Sequence, residues 1–311
     1  MRNLRKAVEQ LQFRGAVLFD EPMSPHTSFR VGGPADVFLR PACDEDVATA
    51  MRLGAMYPLF ILGAGANILV SDRGIRGIVL DMSGLDNCTI VDTDIVAEAG
   101  AAVSEVSMLA ATNGLSGMEF IYAMPGSVGG SVWMNARCYG RSVSEIIDFV
   151  EIVDESGQLR EISPPASEFS YKVSPFQRER WAIIRGCFKL ERGDENEILE
   201  KMDENRRDRE SKGHFAAPSA GSVFKNDRRF GMPSGKLIDS LSLRGTALGG
   251  AQISQAHANI IVNNGKATAL EIYKLIRLIE KRVRDEYGFE LQREVLLVGE
   301  WEEETGDEHR E

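Results

Sequence analysis

Apolar residues recur along the chain with two different spacings, and these spacings predict a mixture of helices and strands. Residues 1–13 are predicted to form an amphipathic helix, with one apolar face made by Leu4, Val8 and Leu11. Helical patterns also predict helices over residues 44–53, 103–113, 196–212 and 233–241. Short apolar runs bounded by glycine or polar residues predict strands. These strands cover residues 37–39, 59–62, 68–70, 78–80, 89–91, 95–97, 146–153, 159–162, 182–190, 251–254, 259–262 and 294–298.

The longest predicted helix starts at Thr268 and ends near Tyr287. Thr268 and Glu271 have the spacing of a capping box, in which each side chain bonds the other residue's backbone N–H. Gly288 follows the last turn, where a left-handed residue commonly ends a helix. The apolar residues between these signals keep helical spacing and comprise Ile272, Leu275, Ile276, Ile279 and Val283. Beyond the strand at 294–298, residues 301–311 are predicted to form an acidic tail in solvent.

The composition argues against several classes of protein. The 311 residues are 43% hydrophobic and 27% charged, which is typical of a globular protein with two or three domains. The net charge of -11 argues against a nucleic-acid partner. We find no long apolar run and no secretory signal, so we expect no membrane partner. The four cysteines and four histidines form no metal-binding pattern, and we expect no metal site, no disulfide and a cytoplasmic location.

Two glycine-rich segments are candidates for binding a phosphate group. Gly63–Asn67 follows a predicted buried strand, and Pro125–Gly130 lies in the middle of the chain. Glycines allow left-handed backbone angles and the close approach of a ligand. The Val-Gly-Gly-Ser-Val run of the second segment is predicted to present successive free N–H groups, which can cradle a pyrophosphate. Neither segment is a P-loop, and Ile68 stands where a Rossmann motif needs its third glycine.

Four motifs occur in one order along the chain, namely Thr27–Asp36, Leu62–Val70, Pro125–Gly130 and Pro218–Asn226. Together they resemble the family of UDP-N-acetylenolpyruvoylglucosamine reductase, also called UDP-N-acetylmuramate dehydrogenase. The resemblance runs from about residue 20 to about residue 300. The short segment between Leu190 and Pro218 is similar to that of the compact branch of the family, which lacks an extra substrate-covering insertion.

The resemblance implies an α+β fold, with a two-subdomain FAD-binding domain of the vanillyl-alcohol-oxidase type and a C-terminal α+β substrate-binding domain. We expect FAD-binding subdomains at residues 1–83 and 84–213, the substrate-binding domain at 214–300 and the tail at 301–311. The implied enzyme is a cytoplasmic monomer of peptidoglycan synthesis, and therefore of cell-wall biogenesis, cell shape and cell division. NADPH reduces its FAD, and flavin N5 passes the hydride to UDP-N-acetylglucosamine enolpyruvate, giving UDP-N-acetylmuramate.

The resemblance also implies which residues bind the cofactor. FAD is expected to be bound without a covalent link, because neither glycine-rich turn contains a histidine or cysteine to attach it. The family usually has a serine at position 66, so Ala66 leaves one side-chain donor missing. The implied cofactor-binding residues are Gly63, Ala64, Gly65, Ala66, Asn67, Ile68, Pro125, Gly126, Ser127, Gly129 and Gly130.

Two catalytic residues are implied in the last third of the chain. Ser222 matches the proton donor of the family, and Gly221 before it leaves room for the substrate to approach. By itself, a serine in Ala-Gly-Ser-Val more often makes a turn hydrogen bond. Glu294 matches the catalytic glutamate and would donate a hydrogen bond to a developing enolate. Without the resemblance, Glu294 would be interpreted as an exposed residue at the start of a strand.

The third implied catalytic residue is Lys172, beside the substrate-binding residue Tyr171. Arginine normally follows this tyrosine and stabilises the enolate, and lysine keeps the charge but loses the two-pronged contact. Three interpretations stay open: Lys172 performs the arginine's role, Arg178 or Arg137 performs it from elsewhere, or the enzyme is weakened. The first is favoured, because the residues around Lys172 still fit the motif. Arg137 is otherwise interpreted as a surface side chain.

Lys212 and Asn226 match positions that hold the UDP part of the substrate. A lysine at the end of a charged helix is as commonly just solvated, and Asn226 is followed by Asp227 where the family usually has proline. Two other classes of protein remain possible at this stage. One is a flavin oxidase of the same fold, which would react readily with oxygen. The other is a nucleotide-sugar binding protein without flavin, which would be colourless.

Overall fold

A computed structural model describes residues 2–301. The predicted acidic tail therefore lies outside the described residues, apart from Trp301. The described chain forms two compact units. The N-terminal unit contains residues 2–21, 36–66 and 77–217, and the C-terminal unit contains residues 22–35, 67–76 and 218–301. The expected division into domains at 1–83, 84–213 and 214–300 is a different partition of the chain, and it stays a prediction.

Of the α-helices in the described chain, five match predicted helices to within two residues at each end, the first is shorter than predicted, and the one at Val128–Trp133 was not predicted. The helices are α1 (Arg2–Glu9), α2 (Asp44–Gly54), α3 (Val103–Ala111), α4 (Val128–Trp133), α5 (Glu195–Ser211), α6 (Ser234–Asp239) and α7 (Ala269–Tyr287). The strands are β1 (Ala16–Pro22), β2 (Pro34–Arg40), β3 (Leu59–Leu62), β4 (Ile68–Val70), β5 (Ile75–Asp81), β6 (Cys88–Val91), β7 (Asp94–Glu98), β8 (Leu115–Ser116), β9 (Arg137–Cys138), β10 (Arg141–Ser142), β11 (Ile147–Val153), β12 (Leu159–Ile162), β13 (Ala182–Lys189), β14 (Glu191–Arg192), β15 (Ala247–Leu248), β16 (Ala251–Ile253), β17 (Ile261–Asn263) and β18 (Leu296–Val298).

The first helix is shorter than predicted, and a buried carboxylate explains why. The prediction of a helix to residue 13 is wrong, because α1 ends at Glu9. Asp46 is 1% exposed and accepts hydrogen bonds from the backbone N–H groups of Arg14 and Gly15, each at 2.9 Å. These bonds draw the chain onto the start of α2. A helix that continued through residue 13 would leave the Asp46 carboxylate without these partners, which is costly for a buried charge.

Two sheets form the framework of the N-terminal unit. The first has the strand order β1-β2-β5-β3, and β3 runs parallel to β5 with Leu62 beside Asp81. The second has the order β12-β11-β13-β7-β6 and is antiparallel throughout. Apolar residues from these sheets, α2, α3 and α4 form one buried cluster. Val128 of α4 belongs to this cluster and Ile61 of β3 packs against it, so both glycine-rich segments adjoin elements of the buried core.

The C-terminal unit is built on α7 and short strands. Strands β15, β16 and β17 form an antiparallel sheet, and β18 runs parallel to β4. The predicted capping box is confirmed, since Thr268 Oγ1 accepts from the Glu271 N–H at 3.1 Å and Glu271 Oε2 accepts from the Thr268 N–H at 3.0 Å. Asp72 accepts from the next two N–H groups of α7, each at 2.9 Å. The apolar face of α7 is buried as predicted.

Candidate active site

The first glycine-rich turn follows β3 and lies against the second one. A Cβ atom built on Gly63 would lie 2.6 Å from Ser127 Oγ, so a side chain at Gly63 would force one of the two segments to move. Gly65 has a φ of 61°, in the left-handed region that glycine adopts most readily. The N-terminal unit therefore brings together two of the predicted cofactor-binding segments, which are about 60 residues apart in sequence.

The N–H groups of the first turn are available to a ligand. Among the hydrogen bonds of the described residues, none uses the backbone N–H of Ala64, Gly65 or Ala66. Ala64 is exposed, whereas Gly65 is buried. Consecutive N–H groups without an internal acceptor can bind an anion, because each can donate to a phosphate oxygen. This turn fits the pyrophosphate of FAD, and the missing serine at Ala66 does not remove these backbone donors.

The second glycine-rich segment differs from its prediction. Val128 N–H donates to the Ala101 carbonyl at 2.9 Å, and Gly129 N–H donates to the Ala99 carbonyl at 2.8 Å. Ser127 caps α4, and its Oγ accepts from the Gly130 N–H at 3.3 Å. The prediction that this run presents successive free N–H groups is therefore wrong. The segment contributes shape instead, because its glycines let α4 pack closely against Ala99.

The residue Asn67, at the start of the C-terminal unit's 67–76 segment, is tied to the Glu294 strand. Its side-chain Nδ2 donates to the Glu294 carbonyl at 2.9 Å, and its own carbonyl accepts from the Leu296 N–H at 3.0 Å. Ile68, predicted with it, is buried in β4. One amide hydrogen of Asn67 is therefore used inside the protein, although the sequence prediction assigned the residue to FAD.

The predicted catalytic residues Ser222 and Glu294 belong to one short stretch of paired backbone in the C-terminal unit. The N–H groups of Glu294 and Val295 both donate to the Val223 carbonyl, at 2.7 and 3.3 Å. Two successive donors to one carbonyl mark a β-bulge, a feature that is common beside active sites. Glu294 precedes β18 and does not belong to it, and its side chain is half-buried. Ser222 is also half-buried and follows Gly221, which has a φ of 69°.

The other side of the Ser222 segment is held by Asn259, which the sequence analysis did not single out. Asn259 is 3% exposed, and its side chain exchanges two hydrogen bonds with the Phe224 backbone, at 3.0 and 2.8 Å. Its carbonyl accepts from the Val223 N–H at 2.9 Å. Asn259 is the first residue of a predicted strand, which is a weak signal, because asparagine is also common in turns.

Tyr171 and Lys172 form the tip of a tight turn in the N-terminal unit. Ser170 and Val173 exchange two backbone hydrogen bonds of 3.1 Å each, and Lys172 has a left-handed φ of 60°. Tyr171 is 41% exposed, and Lys172 is half-buried. Arg178, the alternative to Lys172, is exposed and lines an open cavity of about 300 Å³ with Trp181. Arg137 donates to Ser142 Oγ at 3.3 Å, as expected of a surface side chain.

Lys212 lies at the end of α5 in an ionic cluster. Its Nζ is 2.6 Å from Asp208 Oδ2, and the Tyr139 hydroxyl donates to the same oxygen at 2.8 Å. The hydrogen bond from Lys212 lowers the pKa of Asp208, whereas burial and the hydrogen bond to Asp208 raise the pKa of Tyr139. Lys212 is therefore already paired, although half of its side chain is exposed.

Arg209 is a buried cation that the sequence analysis missed. It is 9% exposed, and its Nε donates to the Ala123 carbonyl at 3.1 Å, two residues before Pro125. Ala123 has a left-handed φ of 57°. A sequence signal exists, because the buried face of α5 continues at helical spacing through Ile198, Met202, Asn205 and Arg209. Following that face beyond its apolar residues would have identified the arginine.

Asn226, the second residue predicted to hold the UDP part, also has a structural contact. Its Oδ1 accepts from the Ser234 N–H at 2.9 Å, at the start of α6. Ser234 Oγ donates in turn to the Lys225 carbonyl at 2.6 Å. Asp227, which replaces the usual proline, accepts from the Arg229 N–H at 2.9 Å and pairs with its side chain. The local turn is thus held by side chains rather than by a proline ring.

Three metal-capable side chains, Asp94, Asp148 and Cys187, do converge within the described part of the chain, with ligand atoms within 4.8 Å of one another. Burial, followed by the two carboxylates, raises the pKa of the Cys187 thiol to about 11. The thiol is therefore protonated at neutral pH. None of the described helices is long and apolar enough to cross a membrane.

Comparison with known proteins assigns this architecture to the flavoproteins. Residues 35–163 match the sequence family of an FAD-binding domain. Residues 213–298 match the family of the C-terminal domain of UDP-N-acetylenolpyruvoylglucosamine reductase. These matches confirm the expected α+β fold, in which an FAD-binding domain is followed by a C-terminal domain. The protein is thus an FAD-dependent oxidoreductase.

Relatives along most of the chain identify the family. UDP-N-acetylenolpyruvoylglucosamine reductase of Caldanaerobacter subterraneus is 39% identical over 295 residues, covering 94% of this chain and 97% of that protein. The enzyme of Exiguobacterium sibiricum is 40% identical over 287 residues, covering 92% and 94%. The crystal structure of the Thermus caldophilus reductase superposes with a TM-score of 0.77 and 30% identity, covering 92% of this chain and 99% of that one. The chain belongs to the UDP-N-acetylenolpyruvoylglucosamine reductase family, as its motifs predicted.

Proposed function

We propose that the protein reduces UDP-N-acetylglucosamine enolpyruvate to UDP-N-acetylmuramate, as an NADPH-dependent flavoprotein of peptidoglycan synthesis. Family membership supports this reaction. The structural observation that supports it most directly is the Glu294 N–H donating to the Val223 carbonyl at 2.7 Å. This bond holds Ser222 and Glu294 in one short stretch of paired backbone, as a shared role at one substrate requires.

The first glycine-rich turn would hold the pyrophosphate of FAD through the N–H groups of Ala64, Gly65 and Ala66. FAD bound there would supply the hydride chemistry, from NADPH to the enolpyruvyl group of the substrate. The second segment would support the cofactor by shape, since its N–H groups at Val128 and Gly129 already have acceptors. Neither segment contains a histidine or cysteine, so the cofactor is held without a covalent bond.

Four side chains would stabilise the developing negative charge on the substrate, protonate it and bind it. Ser222 gives its hydroxyl proton to the carbon next to the one that receives the hydride. Lys172 stabilises the negative charge that develops on the substrate before that proton arrives, as a preorganised cation does at an oxyanion. Glu294 donates a hydrogen bond to the same developing enolate, and Tyr171 contacts the substrate.

Lys212 and Asn226 would hold the UDP part. Lys212 Nζ keeps two of its three N–H groups after pairing with Asp208, and Asn226 keeps its amide hydrogens. Both can therefore still donate to a phosphate or uracil oxygen. We include in the proposal that the enzyme acts as a monomer in the cytoplasm, and light scattering of the purified protein would test the monomer.

Anaerobic stopped flow tests this function in two steps. NADPH should bleach the flavin, and the enolpyruvyl sugar nucleotide should restore its colour. Ser222→Ala should retain bleaching but slow the recovery by ~10²–10⁴-fold, the usual contribution of a general acid. Ser219→Ala, in the same segment, is the matched control and should recover at the wild-type rate.

Other outcomes would identify a different function. Equal slowing of bleaching and recovery in Ser222→Ala would show that the serine shapes the flavin site. Rapid recovery with oxygen but none with the sugar nucleotide would instead indicate an oxidase. A colourless protein that cannot be loaded with FAD would indicate a nucleotide-sugar binding protein.

A further inference from the structure

The backbone of Lys172 adopts an unfavourable conformation. Its φ of 60° lies in the left-handed region, where a side chain other than glycine crowds the backbone. Such residues persist when the surrounding structure imposes them, and they are concentrated at functional sites. The two hydrogen bonds between Ser170 and Val173 close the turn but do not attach it to the rest of the unit. Another contact must fix where the turn lies.

Gln177 supplies that contact. Its Nε2 donates to the Lys172 carbonyl at 3.2 Å and also to the Trp133 carbonyl at 2.8 Å. Trp133 is the last residue of α4, whose first turn carries the Ser127 cap beside Gly63. A primary amide has two N–H groups on one nitrogen, so it can bridge two carbonyls. Gln177 thereby joins the Lys172 turn to the helix that begins at the second glycine-rich segment.

Two other side chains strengthen the same junction. Ser174 Oγ donates to the Trp133 carbonyl at 2.6 Å, and Ser174 is fully buried. Asn135 is 2% exposed, and its Nδ2 donates to the Ser170 carbonyl at 2.9 Å. These contacts anchor both ends of the turn, and Gln177 holds the Lys172 carbonyl between them. Gln177, Ser174 and Asn135 thus donate hydrogen bonds to backbone carbonyls of Trp133 and of the Lys172 turn.

We propose that Gln177 is a positioning residue for the reduction of the enolpyruvyl substrate. It holds the Lys172 backbone in its left-handed conformation at a fixed place relative to α4, so that the ammonium group meets the anionic intermediate. This proposal rests on the proposed function, in which Lys172 stabilises that anion. Gln177 touches neither substrate nor cofactor in this role, and it acts only through Lys172.

The test uses variants that remove the N–H donors but keep the length of the side chain. Gln177→Glu places a carboxylate against two carbonyls, and Gln177→Met removes the polar group without adding charge. If Gln177→Glu fails to fold, Gln177→Met carries the test. Gln158→Glu is the matched control, because Gln158 is exposed in the same unit and undergoes the same change. Each variant is loaded with FAD and followed by anaerobic stopped flow and by hydrogen exchange.

We expect flavin bleaching by NADPH to stay at the wild-type rate and recovery with the sugar nucleotide to slow by about 10–100-fold, since a displacement of ~1 Å can have that effect. Hydrogen exchange at the Ser170 and Val173 amides should be about tenfold faster, because their turn loses its attachment. In a Lys172→Ala background, the Gln177 change should slow recovery no further. The control should match the wild type in every measurement.

Three results would overturn the proposal. Unchanged exchange at Ser170 and Val173 would show that Gln177 does not hold the turn. Equal slowing of bleaching and recovery would indicate a general effect on the flavin site. A full additional slowing in the Lys172→Ala background would show that Gln177 acts independently of Lys172. If the proposed function is wrong, the wild type itself does not recover its flavin colour with the sugar nucleotide. Hydrogen exchange at Ser170 and Val173 still shows whether Gln177 holds the turn.

Discussion

The two glycine-rich segments of the N-terminal unit have similar compositions but different hydrogen-bonding states. Within the described chain, the N–H groups of Ala64, Gly65 and Ala66 have no acceptor, whereas those of Val128 and Gly129 donate to Ala101 and Ala99. Glycine in the first segment therefore exposes donors, and glycine in the second allows close packing. A glycine-rich run therefore indicates an unusual backbone conformation. It does not distinguish a segment that binds a ligand from one that packs closely against its neighbours.

The largest expected effect tests the packing role of the second segment. Gly129→Val should lower the free energy of unfolding by about 3 kcal/mol, because a Cβ would lie 2.9 Å from Ala99 Cβ and overpacking of this kind costs ~1–3 kcal/mol or more. Urea denaturation measures the change. Gly130→Ala is the control, since its Cβ meets only Ser127 Oγ at 3.4 Å, and it should not destabilise the protein. Equal losses in both variants would contradict the packing role.

The next effect tests the contact between the two segments. Gly63→Ala should weaken FAD binding by about 30-fold, or ~2 kcal/mol, because the new methyl group collides with Ser127 Oγ and displaces the first turn. Quenching of FAD fluorescence on titration with apoprotein measures the affinity. Adding Ser127→Gly removes the colliding hydroxyl and should recover most of the loss. If it recovers none, the collision with Ser127 Oγ is not the cause of the weaker binding.

A smaller effect separates capping from phosphate binding at Ser127. Ser127→Ala should lower the free energy of unfolding by about 1 kcal/mol, the usual value of a helix N-cap, because the Gly130 N–H loses its acceptor. Affinity for FAD should change less than threefold, or ~0.6 kcal/mol. Thermal unfolding and FAD titration are compared on the same preparation. A large loss of FAD affinity at unchanged stability would make the hydroxyl a cofactor ligand.

The smallest effect sharpens the role of the first turn. Ala66→Ser restores the residue usual in the family and adds one hydroxyl donor beside the free N–H groups. FAD binding should tighten by about 2–10-fold, since a single hydrogen bond contributes ~0.5–1.5 kcal/mol net. The free energy of unfolding of the apoprotein should stay the same, because Ala66 is half-buried and does not belong to the buried apolar clusters of the described residues. Weaker binding would mean that this turn does not face the cofactor.

The prediction from sequence worked best where local signals were strong. The longest helix was expected from Thr268 to Tyr287, and α7 spans Ala269–Tyr287 with Gly288 at a φ of 69°. Its capping box, apolar face and terminal glycine are local signals, because they all lie within the helix or directly beside it. The same holds for the antiparallel pair β11 and β12, whose strands were expected at 146–153 and 159–162. Strand β1 was not predicted, although Ala16–Phe19 is a short apolar run between Gly15 and Asp20, and none of the residues of β1 is buried.

The sequence by itself determined the family, because four ordered motifs specify a flavoprotein reductase without any coordinates. It also determined the local caps and turns, since these depend on residues a few positions apart. The tertiary structure decided which N–H groups are free, because the acceptors of Val128 and Gly129 come from residues 99–101. It also decided that Gln177 connects the Lys172 turn to Trp133, and that Arg209 reaches Ala123. Those contacts join distant parts of the chain, and no local pattern encodes where such partners meet.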